Sequence, residues 1–345
     1  MSFKNLFRKK NYKTLFTTPS HSQKFCILNK FKQFYKYDIS ETETHNPELV
    51  LEIAQKNASK IYGTKQTLFL TNGSSSGIIT AVLATCNKND KVLIWDNAHR
   101  CHKNAVELAG AVPVFYSIPQ NEEWDIPDKV SIETINKILQ EHEIKALIIT
   151  SPSYEGIVSN IKEIKTICNK HKTFLIVDEA HGALYPFSDE LPETAIKYAD
   201  IVVQSLHKTA GGLNPTALIH SNIDIDLTPA LKKITTTSPS YPLLASIEAN
   251  INYLNSQKCK KNLQKLINNI KDLKKKCPNI EFYGDDITKI LIKKDGLSGE
   301  KLSEILFDKY NIEDEKTNSK STMLLCGIGT SSKKLKKLAN SLSKL

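Results

Sequence analysis

The chain has 345 residues, 40% of them apolar and 24% charged, which suits an ordinary globular protein with a full core and room for one large and one smaller domain. Its net charge of +10 rests almost wholly on lysine, spread over the wet faces of amphipathic helices; the two arginines, Arg8 and Arg100, are poor equipment for bidentate phosphate or base recognition, so no nucleic-acid partner is expected. No apolar run approaches the roughly 18 residues of a membrane span, and the seven cysteines are odd in number with no CxxC, which points to neither a disulfide frame nor a zinc site and makes the cytoplasm the expected location.

Residues 1–50 read as an arm with short helices, a candidate for packing on a partner subunit. Their basic start lacks an apolar signal core. From 51 to 240 short apolar runs alternate with helical patterns. The strand candidates are 67–70, 91–96, 111–116, 145–150, 173–178, 200–204 and 216–220. Runs apolar throughout and separated by helices imply strands buried on both faces of a mostly parallel sheet. Residues 241–345 change character. A long helical stretch over 243–275 is followed by strand-like segments at 280–283, 287–292 and 322–326 and by two more helices, which reads as a small α+β domain. In that stretch Leu263, Leu266, Ile267, Ile270 and Leu273 recur at helical spacing.

In such sheets the ligand sits at the carboxyl ends of the strands, and the chemically able residues fall there. Asn72 to Gly77, NGSSSG, follows the first strand and opens a helix. Small residues let the backbone approach an anion, and the hydroxyls of the serine run can donate to it; alone, the same residues are ordinary helix caps. His102, six residues past Asp96, offers a flat ring for stacking. Asp178 ends the strand FLIVD, with His181 close enough to orient it. Ser205, His207 and Lys208 end the next strand, in VVQSLHKTAGG. Lysine at one strand end and a carboxylate at another suit a cofactor that needs both a Schiff base and an anionic partner for its ring nitrogen, and pyridoxal 5'-phosphate is that cofactor. Ser205 or His207 is placed to touch its phosphate, and His207 to carry a proton near the substrate.

Taken together these segments resemble the major domain of the bacterial-type ornithine/lysine/arginine decarboxylases. That family lies in the aspartate-aminotransferase-like (fold type I) superfamily of pyridoxal-phosphate enzymes. The resemblance is carried by TNGSSSG, by Arg100 to Asn104 (RCHKN), by Asp178 to Gly182 (DEAHG), by Ser205 to Thr209 and by Thr236 to Ser246 (TTSPSYPLLAS). It implies an α/β fold with a seven-stranded, mostly parallel sheet, Lys208 as the Schiff-base lysine, Asp178 as the partner of the pyridine nitrogen, and His102 as the stacking ring. It implies Ser74 and Ser75 as phosphate ligands, helped by Ser205 and His207. It also implies that Thr236 reaches the phosphate of a neighbouring subunit, so that a homodimer, or a higher oligomer built from it, shares its active sites. Two departures stand out: PSHSQ at Pro19 to Gln23 in place of the family's PGHxxG, and the turn AGGLNPT after Lys208.

The activity expected is decarboxylation of a basic amino acid to its amine. Aminotransferases of the superfamily clamp the substrate α-carboxylate with an arginine in the small domain, and none follows Arg100. A carboxylate that must leave is poorly served by a strong clamp. Aminotransferase, aldolase and carbon–sulfur lyase chemistries, or an inactive relic of the fold, remain as alternatives. A cationic substrate tail calls for a carboxylate, with Glu155, Glu313, Asp314 and Glu315 as candidates that the sequence leaves unranked.

Overall fold

The computed structural model of the chain describes residues 2–8, 23, 30, 32–39 and 46–345. Pro19 to Ser22 of the PSHSQ segment lie outside the described residues. Two short helices come first, α1 (Phe3–Arg8) and α2 (Lys32–Tyr37). The buried ring of Phe3 packs against Tyr241, and the Phe3 amide donates to Glu248 Oε2 at 2.8 Å, so α1 packs on a helix of its own chain. Helix α3 (Pro47–Tyr62) starts where the Asn46 side chain accepts from the Leu49 amide and proline takes its first position, and it ends at Gly63 with φ 69°, the left-handed conformation glycine adopts without strain.

The major domain then runs β1 (Gln66–Leu70), α4 (Gly73–Thr85), β2 (Lys91–Trp95), α5 (Cys101–Leu108), β3 (Val112–Tyr116), a small hairpin β4 (Gln120–Asn121) and β5 (Ile126–Pro127), α6 (Ile132–Glu141), β6 (Ala146–Thr150), α7 (Ile161–Lys170), β7 (Phe174–Asp178), β8 (Ile201–Ser205), the single turn α8 (Leu206–Thr209), β9 (Ala217–Ser221) and α9 (Thr228–Lys232). Seven strands form one sheet in the order β1-β9-β8-β7-β6-β2-β3, and only β9 runs against its neighbours. Each of the seven lies within one residue of its expected position. The central strands are legible because both their faces are covered. Leu147, Ile149, Leu175, Val177 and Val202 face one apolar core, and Ala146, Ile148, Ile176, Ile201 and Val203 face the other. Burying one such side chain contributes roughly 1.5–3 kcal/mol.

Helix α4 lies close on the sheet because residue 77 is glycine. A Cβ there would meet Val203 Cγ1 at 2.7 Å and Leu70 Cδ1 at 2.8 Å. That approach brings the first turn of α4 to the carboxyl ends of the strands.

The remainder comprises α10 (Tyr241–Leu254), α11 (Gln257–Lys276), β10 (Glu281–Tyr283), β11 (Lys289–Lys293), α12 (Gly299–Tyr310), β12 (Lys316–Thr317), β13 (Thr322–Leu325) and α13 (Ser332–Leu342), with the four strands in an antiparallel sheet ordered β10-β11-β13-β12. The helix expected to run unbroken over 243–275 is two. Asn255 closes α10, and the Ser256 side chain caps α11 by accepting from the Cys259 amide. The small sheet docks on the major domain through its own apolar cluster, in which Trp124 and Ile126 of the hairpin meet Ile157, Leu291 and Met323, and Trp124 stacks on Tyr283. Among the described residues no helix is long and apolar enough to cross a membrane.

Candidate active site

A cavity of about 590 Å³ opens where the carboxyl ends of β1, β2, β6, β7 and β8 meet Lys316 of the small sheet, a volume usual for small-molecule sites. Each strand delivers residues by the turn that follows it. After β1 come Asn72 to Ser75 at the start of α4. Gly73, with φ 76°, donates its amide to the Pro215 carbonyl at 2.8 Å, and Ser74 and Ser75 line the wall. A helix start built from small hydroxyl residues, its N-cap side chain making no capping bond, suits a phosphate.

Asp178 ends β7 and is 6% exposed. Its Oδ2 accepts from His102 Nε2 at 3.0 Å and its Oδ1 from the Ala180 amide at 3.2 Å. Burial works to raise its pKa. The His102 hydrogen bond, the charges of His102 and Lys208 and the Ala180 amide together outweigh burial and hold the carboxyl below its ordinary value. Asp178 is therefore an anion in a nearly closed space.

Lys208 follows β8, in the single turn α8. Burial lowers its pKa, and Asp178 opposes that shift. Its Nζ lies 3.0 Å from His181 Nε2. Burial, then the charges of Lys208 and Lys289, holds His181 well below its ordinary value, so the ring is neutral. Lys208 donates to Nε2, which leaves the ring proton on Nδ1, a buried atom without a protein partner. Sequence reasoning set His181 beside Asp178; the structure sets it on Lys208. Its backbone is anchored from the small sheet, where Lys289 Nζ donates to the His181 carbonyl at 2.8 Å and pairs with Asp286 at 2.6 Å, both side chains fully buried. The Tyr154 ring packs against His181 with centroids 4.6 Å apart.

His207 lines the cavity, and its Nδ1 donates to the Thr216 carbonyl at 3.1 Å, which leaves Nε2 as the basic nitrogen. His102 is 1% exposed and engages Asp178 edge-on; the cavity wall instead includes His99, one turn earlier in the same segment. Ser205 is fully buried at the end of β8, its hydroxyl has no partner among the described residues, and it lies behind the wall rather than on it. Thr236 is exposed on the turn before α10, where it accepts from the Ser238 amide, and it does not line this chain's own cavity.

A family model described as Orn/Lys/Arg decarboxylase, major domain, matches residues 16–291. The chain belongs to the Orn/Lys/Arg decarboxylase family. Members of this family are amino-acid carboxy-lyases that use pyridoxal phosphate. The chain is 29% identical over 340 residues to the uncharacterized protein YaaO of Bacillus subtilis (strain 168), covering 91% of this chain and 71% of that one. It is 28% identical over 360 residues to the arginine decarboxylase of the same organism, covering 96% and 74%. It is 24% identical over 231 residues to the inducible ornithine decarboxylase of Escherichia coli (strain K12), covering 57% and 32%. In fold it is similar to the constitutive lysine decarboxylase of E. coli, with a TM-score of 0.84 at 19% identity, and to the Francisella novicida lysine decarboxylase LdcF, with a TM-score of 0.81 at 19% identity. Each of these structures covers 99% of this chain, which spans 59% of their length.

The cavity of this family member fits the cofactor by the chemistry of its donors. It holds in Lys208 an amine of lowered pKa, in Asp178 a buried carboxylate anion, and in the first turn of α4 a helix start free of side-chain capping. Thr150, at the end of β6, adds a buried hydroxyl on the cavity wall without a protein partner. Lys208 would carry the cofactor covalently, Asp178 would face its ring nitrogen, and Ser74 and Ser75 would hold its phosphate.

Glu179, next to Asp178 in the chain, points away from the cavity. It is 1% exposed and accepts from the Ala195 amide, Thr194 and Gln204. Burial pushes its carboxyl from 4.5 up to about 7, against the pull of those three donors. The folded value lies above the unfolded one, so the native chain holds the proton longer. The stability that Glu179 contributes is fully present below about 4.5 and is lost as pH rises through about 7, by on the order of 3 kcal/mol. Glu179→Gln removes this titration, and the unpartnered Gln204 Oε1 can turn to accept from the new amide. Thermal melts between about pH 5 and about pH 8 are expected to drop less steeply in Glu179→Gln than in the parent; equal slopes would assign the dependence elsewhere.

Proposed function

We propose that the chain is a pyridoxal-phosphate-dependent decarboxylase of a basic amino acid (lysine, arginine or ornithine) that forms the corresponding amine and carbon dioxide. The observation that carries the reading is the pairing, in one cavity, of Lys208 on a neutral histidine and Asp178 as a buried anion. The similarity to arginine and ornithine decarboxylases supports the substrate class. When bound, the cofactor supplies an electron-withdrawing ring that takes up the electron pair left as carbon dioxide departs.

The residues around it have separable tasks. Asp178 holds a proton at the ring nitrogen, and its hydrogen bond from His102 keeps it ionised while it does so. Ser74, Ser75 and the first turn of α4 bind the phosphate and fix the ring's position. His181 is neutral, so it accepts from Lys208 and orients it without adding a second positive charge. The lowered pKa of Lys208 suits an amine that must give up and regain a proton. Lys208 or His207 Nε2 then returns a proton to the α-carbon, which replaces the lost carboxylate and completes the amine. Tyr154, from the loop after β6, and Lys316, from β12, add an aromatic face and a cation to the cavity wall. Thr236, exposed on its turn, is assigned to the phosphate of a neighbouring subunit in a homodimer, and the cytoplasm is the proposed location.

The test is a panel of lysine, arginine and ornithine against cofactor-loaded protein, with carbon dioxide and amine both measured. Equal release of the two supports the reading. A keto acid without carbon dioxide would replace it with transamination.

A further inference from the structure

Three carboxylates line the cavity. Asp178 is committed to His102. Asp128 accepts from the amide of Lys129 at 2.7 Å. Glu155 is different. It is 2% exposed, accepts from Ser153 Oγ at 3.1 Å, and among the described residues meets one cation, Lys316, at 2.5 Å. Of the other carboxylates with the right chemistry for a cationic tail, Asp314 is engaged by Ser303, Thr317 and Thr322, Glu315 accepts from Tyr154, and Glu313 is exposed; none lines the cavity.

Lys316 belongs to β12, a two-residue edge strand, and its side chain is 46% exposed against 3% for Glu155. Its Nζ stands 5.1 Å from the centroid of the Tyr154 ring. A buried carboxylate beside an aromatic face is a box for an ammonium ion, and the ion it holds is carried on a flexible four-carbon stem. A basic amino acid brings a cation of the same kind into the same cavity. As a carboxylate Glu155 favours a cation beside it, because a buried unpaired charge is costly. Lys316, half in water, can leave at small cost, since an exposed ammonium is well hydrated.

We propose that Glu155 and Tyr154 form the pocket for the distal cation of the substrate, and that Lys316 is its internal competitor, displaced to solvent when the tail enters. The proposal rests on the basic-amino-acid reading above and deepens it. Charge is conserved in the exchange, because one ammonium replaces another on Glu155. The resident lysine therefore weakens tail binding and discriminates against any substrate whose cation cannot reach the carboxylate. Removing Lys316 exposes the carboxylate and strengthens the binding of a cationic tail alone.

The experiment is equilibrium binding by calorimetry on the cofactor-loaded protein, with 1,5-diaminopentane as the cationic probe and pentylamine as its neutral-tailed control. Lys316→Met is expected to bind the diamine about tenfold more tightly than the parent, a change of about 1.4 kcal/mol, with pentylamine unchanged. Glu155→Gln is expected to lose the preference for the diamine. Lys316→Gln serves as the second variant, and melting temperatures check that each protein is folded. Diamine affinity unchanged or weakened in both Lys316 variants overturns the proposal. The decarboxylase reading fails separately, if the parent releases no carbon dioxide from any basic amino acid while the binding pattern holds.

Discussion

Lys208→Ala, loaded with pyridoxal phosphate, is expected to release carbon dioxide from basic amino acids at no more than about one part in 10⁴ of the parent rate. A positioned acid–base group alone contributes on the order of 10²–10⁴-fold, and this substitution also removes the covalent anchor. The same variant is expected to lack the visible absorbance that the loaded parent acquires, and to lose bound cofactor on dialysis. Folding is not at stake. Lys208 is a partly buried cation whose pKa burial lowers, so its removal relieves a desolvation cost, and the melting temperature of the unloaded protein should be kept or raised. A second signature follows from the contact to His181. The Lys208 charge is one of the causes that hold that ring well below its ordinary pKa, so in Lys208→Ala the His181 resonance should titrate at a higher pH by NMR. Retained activity, with the cofactor still absorbing as in the parent, would move the anchor to another amine. Lys316 is the other lysine on the cavity wall.

Much of this site could be read from the chain because parallel sheets impose order on it. A strand buried on both faces must be apolar along its length, so runs such as Leu147, Ile148 and Ile149 announce themselves, and the first polar residue after each run sits at the sheet edge where ligands bind. Asp178 stands out on that ground, whereas Lys208, Ser74 and Ser75 lie a few residues past their runs and are picked out by the motifs around them. What escaped the sequence is contact between side chains far apart in it. Lys316 and Glu155 are separated by 161 positions and come together only when the small sheet docks through Trp124, Leu291 and Met323. Proximity in the chain favours Asp178 as the partner of His181, whereas the turn after β7 carries the ring across to Lys208. The motif around His102 draws attention away from His99. Both lie in one short segment, His99 in the turn before α5 and His102 in its first turn, and which ring faces the cavity is a matter of packing rather than pattern. The hairpin of β4 and β5 has two residues per strand, too few for any periodicity. The break at Asn255 and Ser256 carries neither glycine nor proline, so no strong stop signal marks it in the chain.

Asp178→Asn is expected to lower kcat by about 10²–10³-fold, the usual cost of removing one preorganised electrostatic partner, with a much smaller change in KM. The amide matches the carboxylate in shape and still accepts a hydrogen bond from His102 Nε2 or the Ala180 amide. What it lacks is the charge that keeps a ring nitrogen protonated. The loss should therefore appear in the chemical step, with Asp178→Glu, which restores the charge at an altered distance, recovering part of it. The pH dependence of stability gives an independent check in the unloaded protein. The carboxyl of Asp178 is held below its ordinary value of 3.8, so it contributes stability that is present above that value and is lost as pH falls through the lower, folded one. Asp178→Asn should accordingly be less stable than the parent at neutral pH, and the gap should close as the pH is taken below about 4. Its loss also removes the charge that raises the Lys208 pKa, so the amine in the variant should lose its proton at lower pH than in the parent. Parent-like kcat with parent-like acid stability would assign both the ring-nitrogen charge and the folded-state anion to a different residue. A fall in kcat without the stability change would instead separate the two roles that one buried carboxylate, held by His102 and opposed to Lys208, is here given.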